Sequence, residues 1–252
     1  MKTTSTLFLG FVFFIISACS EKGSDKDFVI PGNNPATALT IGWYVSDDIL
    51  QEIVGPDFEP KIVNDKNEST IMLYVVKSSE HIVDGFNSGI MEAAHLIIPV
   101  ESSTRLKILN GSEISNKMIC PVTIVDESQR LGNKYKDFGF ATYTGEIDFN
   151  HRNTGEKHMV DVKIKTANGL IGITAMFEEE GTNNEFASII YNSSQEVPAC
   201  FYGEERVTRI SNGKGNLKTE GQNMISAMLL DSHPYYLKLD LDISWEFDFE
   251  KE

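Results

Sequence analysis

From Tyr235 to Asp248 apolar and polar residues alternate without a break. Tyr235, Leu237, Leu239, Leu241, Ile243, Trp245 and Phe247 fall on one side, and Tyr236, Lys238, Asp240, Asp242, Ser244, Glu246 and Asp248 on the other. A period of two with one polar face predicts an antiparallel strand, half buried against a core and wet on the side of Lys238 and Asp240. β-rich runs over 39–45, 70–76, 95–100, 118–125, 138–149, 159–166 and 170–177 predict further strands. Asn168-Gly169, between the last two, is hairpin-turn chemistry. The helical period is rarer. Ser46 stands as an N-cap before Asp47, Asp48, Ile49, Leu50 and Ile53, with Gly55-Pro56 as the stop. Short helices are also predicted over 83–93 and 126–131. The pattern is that of a mainly β fold with a few short helices.

The N-terminus follows another pattern. Lys2 precedes an apolar run, Leu7 to Ile16, that is too short to span a bilayer and reads as a signal peptide. Ile16-Ser17-Ala18-Cys19 follows and resembles the lipobox of bacterial lipoproteins. The resemblance implies that Cys19 becomes the lipidated first residue, held stably in the membrane by two or more acyl chains. Ser20 after the cysteine favours the outer membrane. The expected organisation is a signal peptide at 1–18, a tether at 19–37 rich in small, charged and turn-forming residues, and one β-rich domain at 38–252.

Composition narrows the function. The chain has 252 residues, of which 41% are apolar, enough for a proper core. A formal charge of -15 excludes a nucleic-acid surface and a polybasic membrane patch. Cys120 and Cys200 lie in apolar runs. They could pair in an oxidising compartment, which would contribute ~4 kcal/mol in the entropic model, or remain buried thiols. No histidine or cysteine spacing is that of a metal site. Glu92 and His95 are three apart, but on a strand they would point to opposite faces. Gly-x-Ser-x-Gly is absent, and Asn212-Gly213-Lys214-Gly215 lacks the spacing of a phosphate loop. No cofactor is expected. The sequons at Asn67, Asn110 and Asn192 read as exposed polar loops.

One longer resemblance is more specific. It runs through Leu50-Gln51-Glu52-Ile53-Val54-Gly55-Pro56-Asp57-Phe58-Glu59-Pro60, the strand Ile71 to Val76, and Gly89-Ile90-Met91-Glu92-Ala93-Ala94-His95-Leu96-Ile97-Ile98-Pro99-Val100. It continues through Met118 to Val125, Glu127-Ser128-Gln129-Arg130 and the segment with Lys134 and Lys136. Over roughly 40–150 the chain resembles the acetoacetate decarboxylase superfamily. That implies a cone-like, mostly antiparallel β-barrel around a small cavity. It also implies a buried lysine that forms a Schiff base with a β-keto acid, its amine made nucleophilic by an apolar site and a neighbouring cation. Carried over, Lys136 is the amine and Glu92 an acid of the cavity.

The chain departs from that pattern at the amine. Tyr135 is followed by Lys136 and Asp137, so the expected proline and second lysine are missing, and Arg105 is the first arginine. A lysine beside an aspartate keeps its ammonium. The reading is therefore a lipid-anchored envelope protein whose barrel binds a small or hydrophobic ligand without catalysis. The alternatives are a Schiff-base decarboxylase using Lys136 and Glu92, or an interaction lipoprotein with a β-sandwich and no cavity.

Overall fold

Burial of both alternating faces of the central strands sets the architecture of the computed structural model. The structure describes residues 28–29, 36–83, 86–87, 89–103, 116–126, 130–178, 180–192, 199–221, 234 and 236–251. The first half of the chain comprises β1 (Phe28–Val29), β2 (Ala36–Ser46), α1 (Asp47–Val54), β3 (Phe58–Pro60), β4 (Glu68–Ser78), β5 (Ile82–Val83), β6 (Phe86–Asn87), β7 (Met91–Ser103) and β8 (Asn116–Val125). The second comprises α2 (Arg130–Asp137), β9 (Thr142–Asn153), β10 (His158–Thr166), β11 (Gly169–Phe177), β12 (Thr182–Asn192), β13 (Ala199–Ile210), β14 (Lys214–Gly221) and β15 (Tyr236–Lys251). Cys19, the segment 1–18 expected to be a signal peptide, and Asn110 lie outside the described residues. Within the segment expected to be a tether, β1 pairs with β15 and β5.

Seven strands close a barrel in the order β8, β12, β13, β15, β2, β4, β7 and back to β8. The fold is the expected mostly antiparallel barrel, with parallel pairing confined to β8. The start of β8 pairs with β12, and Thr123 to Val125 pair with β9. From that fork β9, β10, β11 and β14 run on as an antiparallel sheet. Its Ile147, Phe149, Val162, Ile164 and Ile173 share one core with Leu39, Ile41, Leu73, Val75 and Leu96 of the barrel's outer face. The inner face carries a second core that includes Ala38, Val76, Ala93, Cys120, Ile190 and Trp245. Each fully buried aliphatic side chain contributes ~1.5–3 kcal/mol, so the two cores together hold the ring shut.

Two bulges re-aim the strands. In β15, Asp240 faces Ala38 and Ile243 faces Ala36, so three residues on one strand answer two on the other. Asp242 absorbs the extra residue in the left-handed region, at φ 53°. Before the bulge Lys238 and Asp240 point inward; after it Ile243 and Trp245 do. The second bulge is in β8, where Val122 opposes Leu96 but Ile119 opposes Ile98. Pro121 sits in it, at a place where a central strand can spare a donor.

The structure corrects several expectations. The 83–93 segment is β5, β6 and the start of β7. Both faces of β7 are buried, which flattens the period of two into an apolar run and hides the start of the strand, before the predicted 95–100. The helix expected at 126–131 is α2, placed later. Gly139 (φ 74°) ends it, with Gly139 N–H on the Lys136 carbonyl and Phe140 N–H on that of Tyr135. β9 therefore begins at Thr142 rather than 138. Beyond the apolar run at Cys200, which opens β13, the strands β12, β13 and β14 carry no predicted element, because β12 opens on polar residues and β13 carries charges inward. The β10–β11 turn is Ala167-Asn168, with Gly169 (φ 154°) the first residue of the returning strand. Ser46 holds the N-cap backbone position but makes no side-chain cap bond. Asn192 is not in an exposed loop: it is buried and donates to the Phe138 carbonyl at 2.9 Å.

Candidate functional site

Inside the ring is a cavity of about 170 Å³. A cavity of about 150 Å³ holds a benzene ring, so this one suits a ligand of roughly that size. Its walls follow from strand register. Lys238 lies opposite Thr40, Thr40 opposite Tyr74, Tyr74 opposite His95, and His95 opposite Thr123, forming one inward belt across β15, β2, β4, β7 and β8. The adjacent belt is Tyr236, Gly42, Met72 and Ile97. The remaining wall comes from Asn116, Met118 and Cys120 of β8, Phe186 and Ile190 of β12, and Glu205 and Arg209 of β13. Asp240 and Trp245 of β15 and Tyr135 of α2 complete it.

α2 enters this wall through Tyr135. Gly132 lets the helix lie close on Val125, where an added Cβ would come within 2.6 Å of a methyl group. The helix then points Tyr135 into the barrel, its ring 5.3 Å from that of His95 and 5.4 Å from that of Phe140. Gly42 has a similar role. A Cβ there would meet the Tyr236 ring at 2.1 Å. We expect Gly42→Val to displace Tyr236 and lower stability by ~1–3 kcal/mol, measured by urea unfolding; an unchanged midpoint would show that the ring moves without cost.

Charge gathers at one end of the cavity. Arg209 and Asp240 are paired cross-strand positions, and the guanidinium donates to both carboxylate oxygens, Nε–Oδ1 at 2.7 Å and Nη2–Oδ2 at 2.9 Å. The guanidinium also lies 5.0 Å from the centroid of the Phe186 ring. Glu205, on the same face of β13, is pushed up to about 7 by burial, with Asp240 adding to the rise and Ser188 and Arg209 opposing it. Burial and then the Arg209 charge lower the Lys238 amine from its ordinary value, against Asp240. Its Nζ sits 4.6 Å from the Tyr236 ring centroid. Burial holds His95 neutral, down to about 4, and raises the Tyr74 phenol and the Cys120 thiol, the latter to about 12. The cavity is thus an apolar chamber with neutral donors in its belt and four ionisable groups at one end.

The residues anticipated as reactive lie elsewhere. Lys136 is exposed on α2 and does not line the cavity. In an extended segment Lys134 and Lys136 would share a face, but on a helix successive residues turn by about 100°, so burying Tyr135 turns Lys136 away. Lys134 caps the Phe138 ring at 5.3 Å. Glu92 lies on the outer face of β7, bonded to Lys77 at 2.7 Å, while His95 faces the interior. Cys120 and Cys200 are buried thiols, not joined. β12 separates them, with Cys120 opposite Asn192 and Cys200 opposite Tyr191. Two strand spacings, about 9.5 Å, exceed the reach of a disulfide. No cluster of three metal-ligating side chains occurs among the described residues.

The sequence pattern does not bring the four charged residues of the site together. Lys238 and Asp240 lay on the polar side of an alternating strand, and Glu205 and Arg209 in a stretch assigned no element. One signal was present. β15 runs 16 residues, against a usual strand of about 5–6, and so long a strand rarely keeps one face wet throughout.

No protein-family model matches the sequence, and no curated protein sequence does. Solved structures do match in shape. An acetoacetate decarboxylase-like enzyme from Sphingomonas wittichii RW1 aligns with TM-score 0.62 and 12% identity, over 90% of this chain and 93% of that one. Acetoacetate decarboxylase from Legionella pneumophila aligns with TM-score 0.61 and 10% identity, over 99% and 98%. A third acetoacetate decarboxylase structure aligns with TM-score 0.57 and 11% identity, over 90% and 89%. Across its described residues, this chain has the acetoacetate-decarboxylase-like fold.

Proposed function

We propose that the chain is a small-molecule-binding protein whose ligand sits inside the barrel, its apolar part among Met72, Ile97, Met118 and Ile190 and its polar part toward Lys238, Glu205, Arg209 and Asp240. The observation that carries this reading is the cavity itself, apolar over most of its wall with its charges gathered at one end. The lipobox-like Ile16-Ser17-Ala18-Cys19 supports an envelope protein anchored through Cys19, and Cys19→Ser should then release the chain from the membrane fraction. Trp245 reports on the cavity, while Trp43, the other of the two tryptophans, is buried in the outer core. In a Trp43→Phe background, benzyl alcohol or 2-pentanone should change Trp245 emission saturably. Cys120→Phe, which fills the chamber, should abolish the response. No saturable response to any small aromatic or aliphatic compound would refute ligand binding.

A second reading has its own support. Lys238 is an amine lowered by burial and by a neighbouring guanidinium, the conditions under which a lysine attacks carbonyls. The neutral amine would add to a carbonyl carbon and water would leave, giving an imine on Lys238 rather than Lys136. Borohydride with acetoacetate or pyruvate should then add mass at Lys238 and not in Lys238→Met. A folded chain that acquires no adduct excludes it.

A further inference from the structure

We propose that the cavity takes up a small organic monoanion together with one proton, the anion's charge lying at Lys238 and the proton on Glu205. This rests on the ligand-binding reading above and adds the chemical class of the ligand and the way its charge is balanced.

Two of the four charges are already committed to each other. Arg209 and Asp240 neutralise each other through two short bonds, and Asp240 is only 2% exposed, so that pair is closed to a third partner. Two charges remain at this end. Lys238 has no ion pair or hydrogen bond among the described residues, and its contact is the π face of Tyr236, which accepts a cation without supplying a counter-charge. Glu205 is bracketed by aromatic rings: its cross-strand partners are Phe186 on β12 and Trp245 on β15. Its hydrogen bond is from Ser188, whose oxygen in turn accepts from Asn116 at 3.3 Å.

The other groups that face this end do not alter the sum. From β4 and β7 come Tyr74 and His95, both held neutral by burial. From β8 and α2 come the Cys120 thiol and the Tyr135 phenol, also neutral. β2 contributes the Thr40 hydroxyl. With Glu205 ionised, the cavity carries two positive and two negative charges and has no surplus for an anion. With Glu205 protonated, it carries one net positive charge, and that charge is on Lys238. A carboxylate entering an apolar chamber loses its hydration and needs such a charge. Near neutral pH Glu205 is poised between the two states, so anion uptake draws a proton with it.

The apolar wall sets the rest of the ligand. A chamber of about 170 Å³ accommodates an aryl or short alkyl body bearing one carboxylate, such as phenylacetate. Calorimetric titration of the purified chain with phenylacetate tests this, with phenylacetamide as its neutral counterpart. Phenylacetate should bind ~10-fold more tightly at pH 6 than at pH 8, and buffers of different ionisation enthalpy should reveal uptake of close to one proton at the higher pH. Glu205→Gln, which keeps the bond from Ser188, should bind it equally at both pH values. Lys238→Met should lose the preference for the carboxylate over the amide. Phenylacetate binding that ignores pH, or an undiminished pH dependence in Glu205→Gln, overturns the inference and leaves ligand binding standing. So does binding of phenylacetamide alone. Failure of both compounds, together with a silent Trp245, removes the ligand-binding reading and this inference with it.

Discussion

Arg209→Met is expected to destabilise the chain by ~3–5 kcal/mol, a large part of the stability of an ordinary domain. The cause is what the substitution leaves behind. Asp240 is 2% exposed and accepts two hydrogen bonds from the guanidinium, so removing Arg209 strands a carboxylate inside the barrel. Asp240→Asn in the same background removes that charge. The double variant should therefore be more stable than Arg209→Met alone, with a coupling of ~1–3 kcal/mol in the cycle. Urea unfolding of the four proteins measures it. Additive effects would mean that Asp240 finds water when its partner is gone, and that the charged end of the cavity is wetter than its burial implies.

The second large effect is in the pH dependence of stability, where two groups that line the cavity act in opposite directions. His95 is neutral in the fold, lowered to about 4 by burial. The unfolded chain takes up its proton first, so this contribution is complete above pH ~6.5 and is lost as pH falls toward 4. Glu205 is raised to about 7, chiefly by burial. The fold holds the proton more tightly, so this contribution is complete below pH ~4.5 and is lost as pH rises toward 7. Each swing is on the order of 3 kcal/mol, and between pH ~4.5 and 6.5 the two offset. Removing either group should expose the other. Relative to the parent, Glu205→Gln should gain stability on going from pH 4.5 to 7, and His95→Phe should gain it on going from pH 6.5 to 4. Unfolding free energies taken as differences from the parent at each pH cancel the surface carboxylates. A difference that stays constant across that range for either variant would mean the group titrates as it does in water.

Both effects come from residues whose place in the interior the linear pattern did not reveal, which marks how far that pattern reaches. It located α1 between Ser46 and Gly55, the pair β10 and β11 to within a residue, and the start of β15. In each, the local period or turn chemistry suffices. Its resemblance to acetoacetate decarboxylases led to the right barrel, with the departures around Tyr135 already marking Lys136 as poorly supported. It could not locate the site. A polar face turned to water and a polar face turned into a chamber have the same spelling, so Lys238 and Asp240 looked like ordinary strand exterior.

The bulge at Asp242 was equally hidden. The alternation continues unbroken through it, yet the backbone reverses which residues face inward, and Ile243 and Trp245 take over the interior from Asp240. By itself, then, the sequence determined element type, the mainly β class and the apolar residues available for a core, because these depend on neighbours along the chain. The tertiary structure alone decided that the ring closes, since β8 meets β12 across a separation of 72 residues, as in the Asn116–Ser188 bond. Closure turned one face of seven strands away from water, and with it made Glu205, Arg209, Lys238 and Asp240 the walls of a site.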